Sequence, residues 1–416
     1  MATVARAPMS GVESSYAWRR LAVAVVLSTI GGVGMWSVVL MLPSLEAEFG
    51  VTRADAALPY TLTMLGVMVG GVVMGRVADR FGVMAATLAG TFALAFGYVV
   101  AGAAETLWQV ALVHGLFMGF LGSSASFAPV IADISHWFDR RRGLAVAIAA
   151  CGSYLAGTIW PPVVQRLIDS FGWRQSYFVI GLFCLATMLP LSLLLRRRPP
   201  AQDGTAGAGE ADRRSGETLG IAPNLLQALL MVAGVACCVA MAMPQVHIVA
   251  YCGDLGYGAA RGAEMLSLML GFGVVSRLAS GWITDRIGPL ATLLLGSVLQ
   301  AVSLVLYLPF DGLVSLYVVS SLFGLFQGGI VPSYAVIVRQ YFPARETGLR
   351  VGLVLSATLA GMALGGWMSG AIFDWTGSYQ TAFLNGIAWN VLNAAIAGWL
   401  LWRSLQPRTS RPALAA

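Results

Sequence analysis

Apolar runs of about 20 residues recur along the chain, each long enough to cross a hydrocarbon core of about 30 Å as a helix. They are separated by short polar stretches rich in arginine, aspartate, glycine and proline. Twelve runs are centred near Val33, Val67, Phe92, Phe120, Ser153, Phe183, Val239, Phe272, Leu299, Leu325, Met362 and Val391. No ten-residue alternation of the kind a membrane β-barrel needs is visible. Helical spans satisfy their own backbone hydrogen bonds, as lipid requires. The pattern predicts an all-α membrane protein of twelve transmembrane helices.

The polar stretches orient these helices. All 25 basic residues are arginine. Arg6, Arg19 and Arg20 precede the first span. With a cytoplasmic N-terminus, twelve spans return the C-terminus to the cytoplasm. The inner loops then hold Arg140 to Arg142, Arg196 to Arg198, Arg213, Arg214, Arg286, Arg345, Arg403 and Arg408. The outer loops hold Arg53, Arg166, Arg174 and Arg261. This asymmetry follows the positive-inside rule. The net charge of +6 is therefore a topology signal, not a sign of nucleic-acid binding. No short apolar segment with a cleavage site precedes the first span, so no signal peptide is expected. A bacterial-type inner membrane, crossed many times with both termini inside, is the expected location.

The segment 196–221 is polar and rich in Gly, Ala and Pro, as a flexible linker is. It divides the chain into a cytoplasmic tail (1–20), a six-helix half (21–195), the linker, a second six-helix half (222–402) and a C-terminal tail (403–416). The halves repeat. "GRVADRFG" (Gly75 to Gly82) and "GWITDRIG" (Gly281 to Gly288) match at an offset of 206. Gly143-Leu144 and Gly348-Leu349 open spans 5 and 11 at an offset of 205, and Gly172 and Gly377 close them at the same offset. Several landmarks in one order indicate a duplicated six-helix unit.

The G-x-x-x-D-R-x-G turn resembles the signature of the major facilitator superfamily, and the resemblance covers the whole chain. Gly75 and Gly281 would permit close helix approach, and Gly82 and Gly288 a tight turn. Asp79, Arg80, Asp285 and Arg286 are the gating candidates. A carboxylate there can dock on the positive end of a neighbouring helix. The resemblance puts that partner at the start of span 11, near Thr347 and Gly348. A solvated turn that only fixes topology is the plainer alternative.

Three stretches, "GVGMWSVVLMLPSLEAEFGVTRA", "WFDRRRGLAVAIAACGSYLAG" and "FGWRQSYFVIG", resemble the monocarboxylate transporter and oxalate–formate antiporter branch. So does the order His247, Asp254, Arg277. The resemblance implies that Arg277 binds the substrate carboxylate. It also implies an aspartate one turn earlier, where this chain has Gly273, and a lysine in span 1 or span 11, which this chain lacks.

The residues themselves allow two readings of Arg277. It lies eight residues before Asp285, about 12 Å from the turn, too deep to snorkel comfortably. Its helix face holds Leu270, Gly273, Ser280, Gly281 and Thr284, small or polar enough for a cavity wall. It is either a substrate ligand or a structural arginine bonded to carbonyls or a helix C-terminus. His247 follows Pro244 and is a candidate for substrate contact or a coupling proton, or a histidine bonded between helices. Asp254 is either a coupling group or a span-end gate, since it matches Glu48 in the repeat. Tyr154, Gln327, Tyr334 and Asn390 are further candidates for the cavity wall. The five cysteines show no metal or redox spacing.

A transporter of small organic anions follows as the expected function, with a monocarboxylate as substrate and proton symport or anion exchange as the driving mode. No nucleotide-binding motif is present to energise it. The carrier is expected to need no cofactor and no metal, to act as a monomer in the bilayer, and not to be an enzyme. The alternative is an exporter of drugs or neutral metabolites with Arg277 structural.

Overall fold

A computed structural model describes residues 12–197 and 219–406. The arginines at 6, 198, 213, 214 and 408, most of the linker, and the outer parts of both tails lie outside the described residues. Eleven continuous helices are long and apolar enough to cross a membrane. One of them, Arg142–Leu193, has 52 residues, enough for two crossings. It breaks at Gly172, whose φ of 76° and ψ of 163° are not helical. Twelve spans result: Ser15–Phe49, Arg53–Phe81, Val83–Gly102, Leu107–Trp137, 142–171, 173–193, Pro223–Asp254, Ala259–Ile287, Pro289–Leu306, Leu313–Tyr341, Arg345–Thr376 and Tyr379–Leu405. The protein is an all-α membrane protein.

Glycines make the turns that the repeat places. Gly82 and Gly288 stop spans 2 and 8 with φ of 91° and 83°, a region that a side chain disfavours. Gly172 and Gly377 close spans 5 and 11 with φ of 76° and 67°. The duplicated landmarks therefore mark duplicated backbone geometry.

The first six spans meet the last six along three pairs: span 5 lies against span 8, span 2 against span 11 and, less extensively, span 1 against span 7. Contact is tight at the end that carries Arg53. A Cβ added to Gly370 would come within 2.9 Å of Ala54, and one added to Gly366 within 2.9 Å of Tyr60. The opposite end carries the two G-x-x-x-D-R-x-G turns, and there the halves part. A Cβ on Gly75, Gly281, Gly348 or Gly352 would meet nothing within 4 Å. The close approach expected at Gly75 and Gly281 is thus absent in this conformation, since no neighbouring helix packs on either glycine. The molecule is closed at the Arg53 end and open at the motif end.

Candidate functional site

Span 5 and span 8 run antiparallel, and their contacts form a ladder. Ser267 Oγ donates to the Thr158 carbonyl. A Cβ on Gly157 would strike Leu270 at 2.1 Å, and one on Gly273 would strike the Tyr154 ring at 2.4 Å. The last rung is Arg277, whose Nη1 donates to the Ala150 carbonyl at 2.9 Å. Ala150 stands at a one-residue interruption of span 5, between the helices Arg142–Ala150 and that starting at Gly152, where its carbonyl is open to a side-chain donor. Beyond this rung the halves separate. Arg277 and Tyr154 therefore stand at the apex of the opening, one from each half.

The guanidinium of Arg277 lies over the Tyr154 ring, 4.5 Å from its centroid. Its Nε is buried without a hydrogen-bond partner. No carboxylate among the described residues pairs with it. This sets it apart from four of the other arginines withdrawn from solvent, Arg20, Arg53, Arg174 and Arg350; the fifth, Arg403 in the last turn of span 12, lies over Trp399 and likewise pairs with no carboxylate among the described residues. Arg20 holds Asp133 through Nε and Nη2 at 2.7 and 2.9 Å and lies over Trp137. Arg53 holds Glu46 through the same two nitrogens at 3.0 and 3.2 Å and lies over Phe373. Arg174 holds Glu48 at 3.0 and 2.7 Å and lies over Trp173. Arg350 holds Glu346 at 2.9 and 2.8 Å and lies over Phe342. Arg277 has the aromatic platform and lacks the acid.

Gly273 explains how this is packed. The position one turn before Arg277 holds no side chain because the Tyr154 ring fills that space. The aspartate that the resemblance implies there would displace the ring.

The other cavity candidates do not join this site. Tyr334 is fully buried and donates to Asn393 Oδ1 at 2.7 Å. Asn390 is fully buried and donates to the Ser297 carbonyl at 2.7 Å. Both tie spans 9, 10 and 12 together, so they pack helices and line no opening in this conformation. Gln327 is also fully buried and accepts from Gln245 Nε2 at 2.8 Å, leaving its own Nε2 without a partner. His247 lies seven residues from Asp254, about 10 Å from the Arg53 end, whereas Arg277 lies eighteen residues from Ala259, about 27 Å from that end. The structure does not bring His247 and Arg277 together.

His247 belongs to a second cluster. Its Nε2 lies 2.8 Å from the Gly366 carbonyl and therefore donates to it, and its Nδ1 accepts from Tyr379 Oη at 3.2 Å. Tyr379 in turn accepts from Arg53 Nη1 at 3.0 Å. Arg53 also reaches Asp254, through Nη1 and, at 3.3 Å, Nη2. The backbone N–H groups of Arg53 and Ala54 donate to the Asp374 carboxylate at 3.0 and 2.8 Å. Glu46 and Arg53 come from the first half, and Asp254, Asp374 and Tyr379 from the second. This knot holds the Arg53 end shut.

The gating candidates at the motif end stand free of such a knot. Asp79, Arg80, Asp285 and Arg286 are all exposed. Arg80 and Arg286 lie over Phe81 and Trp282 of their own helices. Asp79 does not reach the start of span 11, where Thr347 instead bonds the Pro343 carbonyl at 3.0 Å. The docking of a carboxylate on a helix start across the halves does occur, but at the other end. There Asp374 of span 11 caps the helix start at Arg53. Arg53, Glu46, Asp374 and Tyr379 were not singled out in the sequence. One signal was available, since Asp374 repeats Asp169 at the offset of 205 that relates Gly172 and Gly377.

Comparisons with known proteins agree with this architecture. The family model described as Major Facilitator Superfamily matches residues 24–315 and 265–415. The chain is 29% identical over 317 residues to "MFS transporter asaE" of Aspergillus flavus, covering 75% of this chain and 69% of that one. It is 29% identical over 317 residues to "Monocarboxylate transporter 13" of Bos taurus, covering 76% and 73%. Among solved structures, a bacterial homolog of the human lysosomal transporter Spinster, inward-facing and occupied, superposes with a TM-score of 0.72. That likeness has 13% identity over 97% of this chain and 100% of the other, and shows the fold. The chain belongs to the Major Facilitator Superfamily and is a multi-pass membrane transporter.

Proposed function

We propose that this transporter carries small organic anions, most simply a monocarboxylate, by alternating access between its two halves. The observation that carries this reading is the arginine at the apex. Four other sheltered arginines each hold a carboxylate, and Arg277, which shares their aromatic platform, holds none. A substrate carboxylate is the natural occupant. One positive charge favours a monoanion, because a second carboxylate would enter the membrane without a partner. The similarity to a protein named as a monocarboxylate transporter supports the same reading. Counterflow in proteoliposomes tests it. Labelled lactate should exchange against unlabelled monocarboxylates, and a neutral panel should not compete. Competition by neutral or cationic compounds alone would favour the exporter alternative.

In this reading the motif end faces the cytoplasm, as the arginine distribution implies, and the conformation is inward-open in an inner membrane. Rocking the halves would break the Arg53 knot and bring the turn that ends span 2 against span 11 and the turn that ends span 8 against span 5. Asp79 then has a role only in the opposite state. Asp79→Asn should leave the melting temperature of the inward-open form unchanged and slow turnover, because a contact of about 0.3–2 kcal/mol is lost from the outward-open form alone. Wild-type transport rates for Asp79→Asn in liposomes would remove this gate assignment.

Coupling is either to protons or to a counter-anion. His247 and Asp254 are the proton candidates, and both lie in the Arg53 knot, away from Arg277. If protons couple, His247→Gln should abolish substrate-driven proton uptake and leave substrate-for-substrate exchange intact. Proton uptake that persists in His247→Gln would exclude His247 as the proton carrier.

A further inference from the structure

Arg277 is held at only part of its guanidinium. Nη1 is taken by the Ala150 carbonyl at 2.9 Å, and one face is covered by Tyr154 at 4.5 Å. Nε is buried and unpartnered, and Nη2 makes no hydrogen bond to a described residue. The free edge is therefore the Nε–Nη2 edge. Arg174 shows the same arrangement completed. Its Nη1 donates to the carbonyls of Gly102 and Ala104 at 3.0 and 2.6 Å, its face lies over Trp173 at 4.5 Å, and Nε and Nη2 hold Glu48. Arg20, Arg53 and Arg350 use the same edge for their acids.

We propose that Tyr154 is a positioning residue that fixes the Arg277 guanidinium plane, so that a substrate carboxylate binds side-on across Nε and Nη2. The proposal rests on the carboxylate reading above. A guanidinium fork gives two parallel charge-assisted bonds only when its plane is fixed. Ala150 and Tyr154 fix two directions of that plane, and both belong to the half opposite Arg277. The site is thus assembled by the meeting of spans 5 and 8. Gly273 serves the same end, because any Cβ there would sit 2.4 Å from the ring and push it off the guanidinium. The hydroxyl of Tyr154 takes no part in the stacking; the ring face does.

The test uses purified full-length protein with lactate, acetate and benzoate as probes. Tyr154→Phe keeps the ring and should bind within about threefold of wild type. Tyr154→Leu should weaken binding about tenfold, and Gly273→Ala similarly, since both remove the ring from the guanidinium. Combining them should add little, because both act on one contact. Should Gly273→Ala fail to fold, the Tyr154 variants still decide. The edge itself is read by nuclear magnetic resonance of the Arg277 Nε–H, assigned by its loss in Arg277→Lys. Acid binding should shift that signal, an effect that a merely structural tyrosine does not control. An acid that binds with Nε–H unmoved, or Tyr154→Leu that binds as wild type does, overturns this proposal and leaves the carboxylate reading standing. Wild-type protein that binds none of the three acids overturns both.

Discussion

Arg277→Gln is expected to lose carboxylate affinity by more than tenfold while keeping its thermal stability. A charge-assisted hydrogen bond contributes about 1.5–3 kcal/mol, and about 1.4 kcal/mol is one decade of affinity. Losing a two-bond fork therefore exceeds a decade on any reasonable share of that range. Stability should respond differently. The substitution removes one bond to the Ala150 carbonyl and one ring contact, together worth about 1–2 kcal/mol. It also removes a sheltered guanidinium that has no acid, and that desolvation cost is of similar size. The two nearly cancel. Arg277→Lys should give an intermediate loss, since it restores charge without the planar fork. A purely structural arginine predicts the reverse pattern: a lower melting temperature, with affinity retained in the folded fraction. Melting temperature and carboxylate affinity measured on the same samples separate the two.

The second large effect is expected at the other end of the molecule. Arg53→Gln should release the closed knot and shift the protein toward the conformer open at that end. Arg53 is nearly buried and is the only cation that the described contacts give to Glu46 and Asp254. Removing one member of a buried pair typically costs about 3–5 kcal/mol. Here both acids keep access to water, with 29% and 38% of their side-chain surface exposed. The expected loss is therefore smaller, about 1.4–3 kcal/mol, or one to two decades in the ratio of conformers. Hydrogen exchange reads it directly. Amides in 53–66 and 363–374 should exchange at least tenfold faster in Arg53→Gln, while those around Gly281 slow. Equal exchange in variant and wild type would show that the knot does not hold the halves together.

The fold was legible because membrane helices announce themselves residue by residue. Each needs its own apolar run, and the turns that close the repeated spans need a glycine at positive φ, so Gly82, Gly172, Gly288 and Gly377 could be placed before any contact was known. Arg277 was legible for the same reason, since a charge inside an apolar run demands a partner. What escaped was pairing between halves. Arg53 looked like a loop residue that reports topology, because its partners lie 201, 321 and 326 residues away in the chain. Polarity misled at Tyr334 and Asn390. A polar side chain inside a span reads as a cavity wall, yet a helix neighbour takes it up as well, as Asn393 does for Tyr334 and Ser297 for the Nδ2 of Asn390, whose Oδ1 stays without a partner. The docking expected of Asp79 is not made in this conformation; in the alternating-access reading proposed above it belongs to the opposite state, whose contacts one structure does not show. Gly273 is the reverse case. It looked like a lost aspartate, and the structure shows it as the space that Tyr154 requires.

The account stands on the charge of the ligand that Arg277 receives. The most direct measurement is equilibrium binding of a monocarboxylate and of its neutral amide to the purified wild-type protein, by calorimetry in one buffer. The pair share size and shape and differ in the charge that meets the guanidinium. The account predicts that propanoate binds and raises the melting temperature, and that propanamide binds at least tenfold more weakly or not at all. Equal affinity for the acid and the amide would contradict it, and would make Arg277 a structural arginine in a carrier of neutral compounds.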